Sequence, residues 1–460
     1  MSNGVGQSAP SNAAKEKWTM DNDVRIKTIS IDGTELKLVM ESLSIYEDVL
    51  SSTMSASLTF NDANNLPKNL PIIGQQEKLV IKFKIPGAKE EEFKFDIYKV
   101  ESRLLSAESK TQLVTVKAVT PERFKDIHTL VSKSYYKPIH EIIQDIFDDN
   151  VKAGDKELKI WNGCKTDSEK RKFIIPNWHP IYAINWLKAR GQPQENLNAC
   201  HYLFYEDREN FNLVTIEKLA KPDDPMPYFE YYYMPTRYRH GGVTRDAGHQ
   251  HRNVQRLTFE DAGNRLDENI DGMYGSKILT HDIVKKEYEV TEWQMKDKWD
   301  DTKHVAKEDS NYPINKEKDA FSGQTDTFKA FYPIHHKLNM ENDLWGGDTV
   351  EENEKYKDWM LKRKSLMRQI GSMVVNIRVS GDSRRKCGDL VILNVTPLEA
   401  NSKEDKKIDK YISGRYLTTS IRHNITQDGY WMDMELCKDN VQEAYKSKSE
   451  GGAGGEATQA

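Results

Sequence analysis

The sequence predicts a mainly β protein that carries an α+β insertion. Segments in which apolar and polar residues alternate fill residues 24–119 and recur in residues 251–293 and 371–440. This alternation is the period of a half-buried strand. Between these regions, residues 120–250 contain segments of helical period as well as strands. Two Asp-Gly pairs add hairpin turns, because Asp and Gly tolerate the positive φ that tight turns require.

Changes of period and composition divide the chain into six predicted segments. They are a disordered or extended arm (1–23), a first β-barrel domain (24–119), an α+β insertion domain (120–250), a second β-barrel domain (251–293 plus 371–440), an irregular arm with a helix (294–370) and a flexible tail (441–460).

In the first β region, an Asp-Gly turn at residues 32–33 predicts a hairpin. Alternation predicts four further strands, at residues 54–60, 79–85, 93–104 and 113–119. Several short strands separated by Gly, Pro and Asn turns are typical of an antiparallel barrel or sandwich.

The insertion is predicted to begin with two helices. Residues 138–147 place their apolar side chains on one helical face, and a second helix over 180–190 ends at Gly191. Strands over 201–207 and 211–219 follow.

The arm between residues 294 and 349 is polar and has little periodicity. A loop of that length is unusual inside a compact domain. It is therefore either an arm that packs on neighbouring subunits or a segment whose elements the pattern does not reveal. A helix is predicted after it, over 351–370.

The closing segment, residues 411–440, predicts a β-hairpin with Asp428 and its following glycine in the turn. The predicted inward pairs are Ile425 with Met432, His423 with Met434, and Ile421 with Leu436. The opposite face carries Trp431, Asp433 and Glu435, because side chains alternate along a strand. We interpret these three residues as a subunit-contact or channel surface.

Composition excludes several classes of protein. The net charge is −5, from 67 basic and 72 acidic residues, with no dense basic block of the kind that binds nucleic acid. The four cysteines are widely spaced and form no CxxC pair, which favours a reducing environment. We expect no membrane-spanning segment, because no apolar run approaches 18 residues.

Candidate metal and cofactor motifs are incomplete. His140 begins half of a zinc-protease motif, but Gln144 stands where the second histidine is needed. The loop with His240, His249 and His251 is interpreted as a mobile or partner-contacting loop rather than a metal site. We therefore predict no metal, no cofactor and no catalytic residue.

Aromatic and acidic clusters leave one enzymatic alternative open. Tyr231 and Tyr233 belong to an aromatic cluster that could stack on sugars, but tyrosine enrichment favours a subunit or partner contact. The pair Glu206 and Asp207 could serve a carbohydrate-active enzyme or a carbohydrate-binding module. Solvated surface charge is the preferred interpretation.

Three segments resemble baseplate hub proteins of contractile-tailed bacteriophages. One is the closing hairpin, with GRY at 414–416, SIRH at 420–423 and a methionine-rich return strand. The others are residues 371–397 and the helix and strand pair of 180–219. The spike hub of bacterial type VI secretion shares this architecture and is the alternative relative.

The resemblance implies two barrel-like tube domains per chain and a pseudo-sixfold ring in a homotrimer. Such a hub joins a sixfold tail tube to a threefold central spike, contacts other baseplate subunits and lets DNA pass without specific binding. It implies a virion location in the tail baseplate after assembly in the host cytoplasm, and no enzymatic activity.

Ile421→Asp tests the predicted inward face of the hairpin. We expect it to abolish folding of the second β-barrel domain, because an unpaired buried charge costs several kcal/mol. Circular dichroism and thermal melting measure the outcome. A cooperative, wild-type-like transition would contradict the predicted orientation.

Overall fold

The structure is a computed structural model of the chain. It describes residues 22–62, 72–106, 111–221, 229–233, 252–261, 264–283, 285–306, 329–333, 336–338, 350–352, 355–396, 409 and 411–440. The predicted histidine loop (240–251), most of the N-terminal arm, much of the 294–370 arm and the C-terminal tail lie outside the described residues.

Strands dominate this part of the chain. They are β1 Arg25–Ile31, β2 Thr34–Glu35, β3 Met40–Asp48, β4 Ser55–Asp62, β5 Lys78–Lys84, β6 Glu90–Ser106, β7 Thr111–Val119, β8 Val131–Lys137, β9 Leu158–Ile160, β10 Arg171–Trp178, β11 Tyr202–Glu206, β12 Phe211–Thr215, β13 Phe229–Tyr233, β14 Arg256–Asp261, β15 Gly275–Asp282, β16 Glu287–Gln294, β17 Lys329–Pro333, β18 His336–Leu338, β19 Val350–Glu352, β20 Met373–Ser380, β21 Leu390–Val395, β22 Gly414–Thr426 and β23 Gly429–Lys438.

The helices lie mostly in the insertion and in the arm. They are α1 Pro121–His128, α2 Ile139–Ile146 with a π-helical turn Phe147–Val151, α3 Pro180–Lys188, α4 Ile216–Ala220, α5 Arg265–Ile270, α6 Met295–Lys298 with a 3₁₀ turn Trp299–Asp301, and α7 Tyr356–Gln369. Among the described residues, no helix has the length and apolar content needed to cross a membrane.

Both predicted β regions contribute to a single 13-stranded sheet. Its order is β14-β20-β23-β22-β3-β4-β7-β6-β5-β1-β2, with β21 also on β22 and β13 on β21. However, β15 and β16, predicted as part of the second region, pair with β17 in a separate three-stranded sheet, and β13, predicted in the insertion, joins the large sheet. The two regions join where β22 pairs antiparallel with β3, with Ile425 opposite Leu43. The mainly β class is confirmed. Within the described residues no strand pairing closes the sheet, so the two predicted barrels are not confirmed.

The sheet curves around one shared core. The ring of Phe83 on β5 lies 5.7 Å from the ring of Tyr430 on β23, although these strands are far apart in the strand order. Phe60 and Ile81 from the first region are buried in the same cluster as Met434. Sharing a core removes apolar area that two separate barrels would expose to water.

The insertion has a second core, which follows the predicted helices. Ile139–Ile146 and Pro180–Lys188 bury their apolar faces against β11 and β12. The strand predicted over 211–219 is too long, because the Thr215 hydroxyl accepts a hydrogen bond from the Lys218 N–H and caps α4.

The closing hairpin has the predicted faces but a different register. Thr426 pairs with Gly429, so the two turn residues are Gln427 and Asp428, and Ile425 lies opposite Tyr430 rather than Met432. His423 is likewise opposite Met432, and Ile421 opposite Met434. The shift is two residues, and since side chains alternate with period two, every residue stays on its predicted face.

The start of the arm is tied to the end of β23. The Asp439 carboxylate accepts hydrogen bonds from the Val305 and Ala306 N–H groups, at 2.9 and 3.0 Å. The His304 ring lies 3.0 Å from the same carboxylate and 2.9 Å from the Trp299 carbonyl. Burial lowers the pKa of His304, but these acceptors outweigh burial and raise it. Residues 294–306 therefore contain packed structure that the polar sequence did not reveal.

Gly381→Ala tests the close packing of the shared core. A Cβ at this position would lie 2.1 Å from the Tyr430 ring, whereas at Gly371 the nearest atom would be 3.5 Å away. We expect Gly381→Ala to lower the free energy of unfolding by about 1–3 kcal/mol, and Gly371→Ala to have a much smaller effect. Denaturant titration measures both, and equal effects would contradict the packing described.

Candidate functional site

One face of the large sheet is polar, and we call it the polar face. Five neighbouring strands, β14, β20, β23, β22 and β3, direct polar side chains away from the core. Cross-strand pairing aligns them in two rows: Arg256, Arg378, Asp433, Arg422 and Tyr46 in one, and Thr258, Asn376, Glu435, Ser420 and Asp48 in the other. Both rows line a shallow groove of about 450 Å³.

Charges on the polar face are largely paired with neighbours. Arg378 donates to both oxygens of Asp433, at 2.6 and 2.9 Å, in the bidentate geometry that suits guanidinium and carboxylate. Arg422 donates to the Ser44 hydroxyl at 3.1 Å, and its guanidinium lies 5.7 Å from the centre of the Tyr46 ring. The face is therefore polar without a strong excess of either charge.

Short hydroxyl side chains extend this face across the sheet. Ser44 on β3 lies opposite Ser57 on β4. Thr59 is paired with Thr115 on β7, with 3.1 Å between the two hydroxyl oxygens. Such side chains project little, so the surface is smooth as well as polar.

A buried ionic junction lies beneath the polar face. Glu47 lies between Tyr46 and Asp48 on β3, so alternation points its carboxylate inward. Its oxygens lie 3.3 Å from the Arg208 Nε and 3.3 Å from the His423 Nε2, and they accept a 3.2 Å hydrogen bond from the Cys387 N–H.

Arg208, which belongs to the insertion, contacts the other groups of this junction. It lies in the turn between β11 and β12, and donates hydrogen bonds to the carbonyls of Ser383 and Arg385. It also lies 3.5 Å from Glu91 on β6. One guanidinium of the insertion therefore contacts both the first and the last β region.

The charge states follow from this geometry. Burial alone would raise the pKa of Glu47, but the charge of Arg208 and the hydrogen bond from His423 lower it to about 2. Burial disfavours the charged form of Arg208, yet Glu47 and Glu91 raise its pKa. Both groups are thus ionised at neutral pH, as a buried pair requires.

The acidic pair considered for carbohydrate chemistry holds the insertion in place. The oxygens of Glu206 accept hydrogen bonds from the Met54 N–H at 2.8 Å, the Thr120 hydroxyl at 2.8 Å and the Lys156 ammonium at 2.7 Å. Both residues of the pair are buried. These donors come from this chain, so the geometry is that of a structural anchor.

Asp207 organises the turn that carries Arg208. Its carboxylate accepts hydrogen bonds from the N–H groups of Glu209 and Asn210, at 2.8 and 2.7 Å, and from Lys386 at 3.3 Å. In the described part of the chain, no group of three or more His, Cys, Asp or Glu side chains could hold a metal ion.

The structure brings together three of the five predicted contact residues. Trp431, Asp433 and Glu435 lie half-buried on the polar face, and Tyr233 is half-buried on β13. Tyr231 is only 1% exposed and belongs to the shared core. The contact role of all five stays a prediction.

The sequence did not identify Glu47 and Arg208 as members of a buried ionic junction. A signal for Glu47 was present, because it occupies the same strand phase as the apolar Leu43 and Ile45. A charge at an inward position needs a buried partner. The identity of that partner, 161 residues later in the chain, could not be read from the local pattern.

Comparison with known proteins finds that the chain is similar to a phage baseplate hub protein, which confirms the resemblance in the sequence. One relative is the probable baseplate hub protein gp334 of Vibrio phage KVP40, which is 20% identical over 309 residues. The match covers 66% of this chain and 66% of that protein, just under two thirds of each. No family model matches the chain.

Solved structures with a similar chain include a tail protein from Neisseria meningitidis MC58, with 11% identity, a TM-score of 0.49 and coverage of 91% of this chain and 98% of that chain. The 43 kDa tail protein of prophage MuSo2 from Shewanella oneidensis has 9% identity, a TM-score of 0.47 and coverage of 90% and 97%.

Glu47→Gln tests the buried junction through its pH dependence. The folded pKa of Glu47, about 2, lies below its ordinary value of 4.5. Its contribution to the free energy of unfolding is therefore present above pH 4.5 and is lost as the pH falls toward 2. At pH 7 we expect Glu47→Gln to destabilise the protein by about 3 kcal/mol.

Urea titrations at pH 7, 5 and 3.5 measure this difference, which should shrink as the pH falls. Glu92→Gln removes a half-exposed carboxylate, paired with Lys82 at 3.2 Å, and is the matched control with little expected effect. A difference for Glu47→Gln that does not change with pH would contradict the ionised junction.

Proposed function

We propose that the chain is a non-enzymatic baseplate hub that joins a sixfold tail tube to a threefold central spike as a homotrimer. The observation that carries this proposal is the single curved sheet, in which strands from both ends of the chain present one smooth polar face. The match to a baseplate hub protein supports the same role. We propose a virion location in the tail baseplate, after assembly in the host cytoplasm.

The two ends of the sheet support a ring. At one end, β14 pairs only with β20 among the described strands, and at the other the first residues of β1 pair only with β5. Open strand edges tend to be covered by neighbouring chains. If the β14 end of one copy meets the β1 end of the next, three copies close a cyclic trimer. Two predicted tube domains per copy then make six.

The polar face suits the lumen of this ring. DNA is held mainly by Lys and Arg contacts to phosphate. Here Arg378 is neutralised by Asp433, and serine and threonine hydroxyls cover much of the remaining face. Such a lining would let DNA pass without binding it.

Other subunits require further contact surfaces. The sheet β16-β15-β17 packs Ile278 against α7, while its opposite face leaves Tyr288 and Phe331 74% and 64% exposed. Exposed apolar side chains grouped on one face are typical of protein interfaces. We propose this face, together with the predicted contacts Trp431 and Tyr233, as the surface that binds tube, spike and other baseplate subunits. Asp433 and Glu435 lie in the rows proposed to line the lumen, and Tyr231 is buried in the shared core.

Analytical ultracentrifugation of the purified full chain tests the assembly. We expect a trimer, and a ring with a central channel in negative-stain images. A strict monomer that binds neither tube nor spike protein would contradict the hub. Assembly onto a secretion-system tube instead of a phage tail tube would favour the type VI alternative.

Trp431 lies near the β22–β23 turn, outside the two rows of the polar face that line the groove, and Trp431→Ala tests whether this end of the face contacts another subunit. We expect the thermal transition of the monomer to change little, since Trp431 is half-buried, while trimer affinity falls by roughly 30-fold or more, as for an aromatic interface hot spot. Tyr182→Ala, at a 57% exposed residue of the insertion, is the control and should leave affinity unchanged. Wild-type assembly of Trp431→Ala would remove this residue from the interface.

A further inference from the structure

The chain that follows α6 is packed between the insertion and the last β region. Residues 299–306, which we call the strap, bury the side chains of Trp299, His304 and Val305. Val305 belongs to the core of the insertion, together with Leu417 on β22. Trp299 belongs to a separate small cluster. If the strap opened, these apolar side chains would be exposed to water.

Hydrogen bonds to the backbone hold the end of the strap on the last β region. The Arg415 guanidinium on β22 donates to the carbonyls of His304 and Val305, at 2.8 and 2.6 Å. The Asp439 carboxylate, just beyond β23, accepts from the Val305 and Ala306 N–H groups. One cation and one anion of the last β region therefore bind the two kinds of backbone group in the strap.

The ring of His304 faces an acceptor at each of its two nitrogens. Nδ1 lies 3.0 Å from the Asp439 carboxylate, and Nε2 lies 2.9 Å from the Trp299 carbonyl. A neutral imidazole carries one N–H, so in that form one of the two contacts would bring two lone pairs together. Only the protonated ring donates to both acceptors.

The Trp299 ring also favours the charged form of His304. The centres of the two rings lie 3.8 Å apart, with 16° between their planes. The negative face of an indole ring attracts a cation stacked on it. Burial lowers the pKa of His304, but the Asp439 carboxylate and the Trp299 carbonyl outweigh burial and raise it above its ordinary value of 6.5.

The charged groups near His304 on the β22 and β23 side have other contacts. Arg415 donates to the strap carbonyls, and the Lys438 ammonium donates to the carbonyls of Tyr411 and Ile412, at 2.8 and 3.1 Å. Asp300, within the strap, is exposed, so water screens its charge. Asp439 is therefore the buried acid that pairs with His304.

The insertion contributes a second histidine, which stays neutral. The Nε2 of His201 accepts a 3.0 Å hydrogen bond from the Glu217 N–H, so this nitrogen carries a lone pair. Burial lowers the pKa of His201 to about 3. The Glu217 carboxylate accepts from the Asn196 amide at 2.9 Å and is also attracted to Lys303. Of the two buried histidines here, only His304 changes its charge between pH 6 and 9.

We propose that His304 is a pH-sensitive latch, which holds the strap closed while the ring is protonated and releases it when the proton is lost. Deprotonation removes the attraction to Asp439 and leaves a buried carboxylate without one of its donors, which is costly. Opening then exposes Trp299 and Val305, so that an apolar surface forms in response to pH. The latch depends on contacts within one chain and not on the hub function.

The direction of the pH effect follows from the raised pKa of His304. The contribution of the latch to closure is fully present below pH 6.5 and is lost as the pH rises through the folded pKa. Between these two pKa values the closed strap holds one proton more than the open strap. The equilibrium therefore shifts toward opening by up to about tenfold per pH unit and then levels off.

Hydrogen exchange of the full-length protein, followed by mass spectrometry from pH 6 to 9, tests the proposal. Exchange rates in the strap are divided by the intrinsic rates at each pH, so the resulting protection factor reports opening. We expect the protection of the Val305 and Ala306 amides to fall at least about threefold between pH 6.5 and 9. Protection that stays constant or rises over this range would overturn the proposal.

His304→Gln removes the titrating group and keeps an amide donor. We expect protection of the strap at pH 6.5 to be lower than in the unchanged protein, and nearly constant up to pH 9. His128→Gln, the same substitution at an exposed residue of α1, is the matched control and should follow the unchanged protein. An unaltered pH profile in His304→Gln would assign the pH dependence to another group and overturn the latch.

Asp439→Asn separates a latch from a purely structural contact. It keeps an oxygen acceptor for the strap but removes the charge that favours protonated His304. A structural contact alone predicts lower protection by the same factor at every pH. The latch predicts that the fall in protection moves to lower pH, because the pKa of His304 drops without its anionic partner. A fall at the same pH as in the unchanged protein would overturn the proposal, even if His304→Gln does not fold.

Discussion

The contact between Glu47 and Arg208 is the constraint on which the rest of the fold depends. A buried carboxylate and guanidinium are tolerated only when each satisfies the other and their remaining donors and acceptors are used. Here the remaining donors of Arg208 reach backbone carbonyls of the loop before β21, and Glu47 also accepts from the Cys387 N–H. The pair therefore holds the insertion against both β regions.

This junction also orients the surface above it. Since Glu47 points inward, its neighbours Tyr46 and Asp48 must point outward and take their places in the rows of the polar face. The inward His423 contacts Glu47 from β22, which aligns that strand with β3. The inward contact of Glu47 with His423 and the alignment of the outward side chains in the polar face therefore both follow from the pairing of β22 with β3.

The surface proposed to line the lumen is balanced in charge. On the polar face, Arg378 and Asp433 neutralise one another, and hydroxyls fill the spaces between charges. A balanced surface suits passage of a polyanion, because long-range attraction needs net charge.

The sequence by itself determined the local structure: the strand alternation, the Asp32-Gly33 hairpin, the helices of the insertion and the face on which each residue of the closing hairpin lies. It also determined the resemblance to baseplate hub proteins. These features depend on backbone preferences and period, which act over a few residues. The hairpin register was wrong by two residues, since the pattern of faces is unchanged by such a shift.

Only the tertiary structure decided how these elements combine. The pairing of β22 with β3, the single shared core, the partner of Glu47 and the structural use of Glu206 all join residues at least 50 positions apart. The physical reason is that a strand edge or an inward charge specifies that a partner is needed but not which one. The partner is selected by the packing of the whole chain, which must bury the apolar side chains and pair the buried charges at the same time.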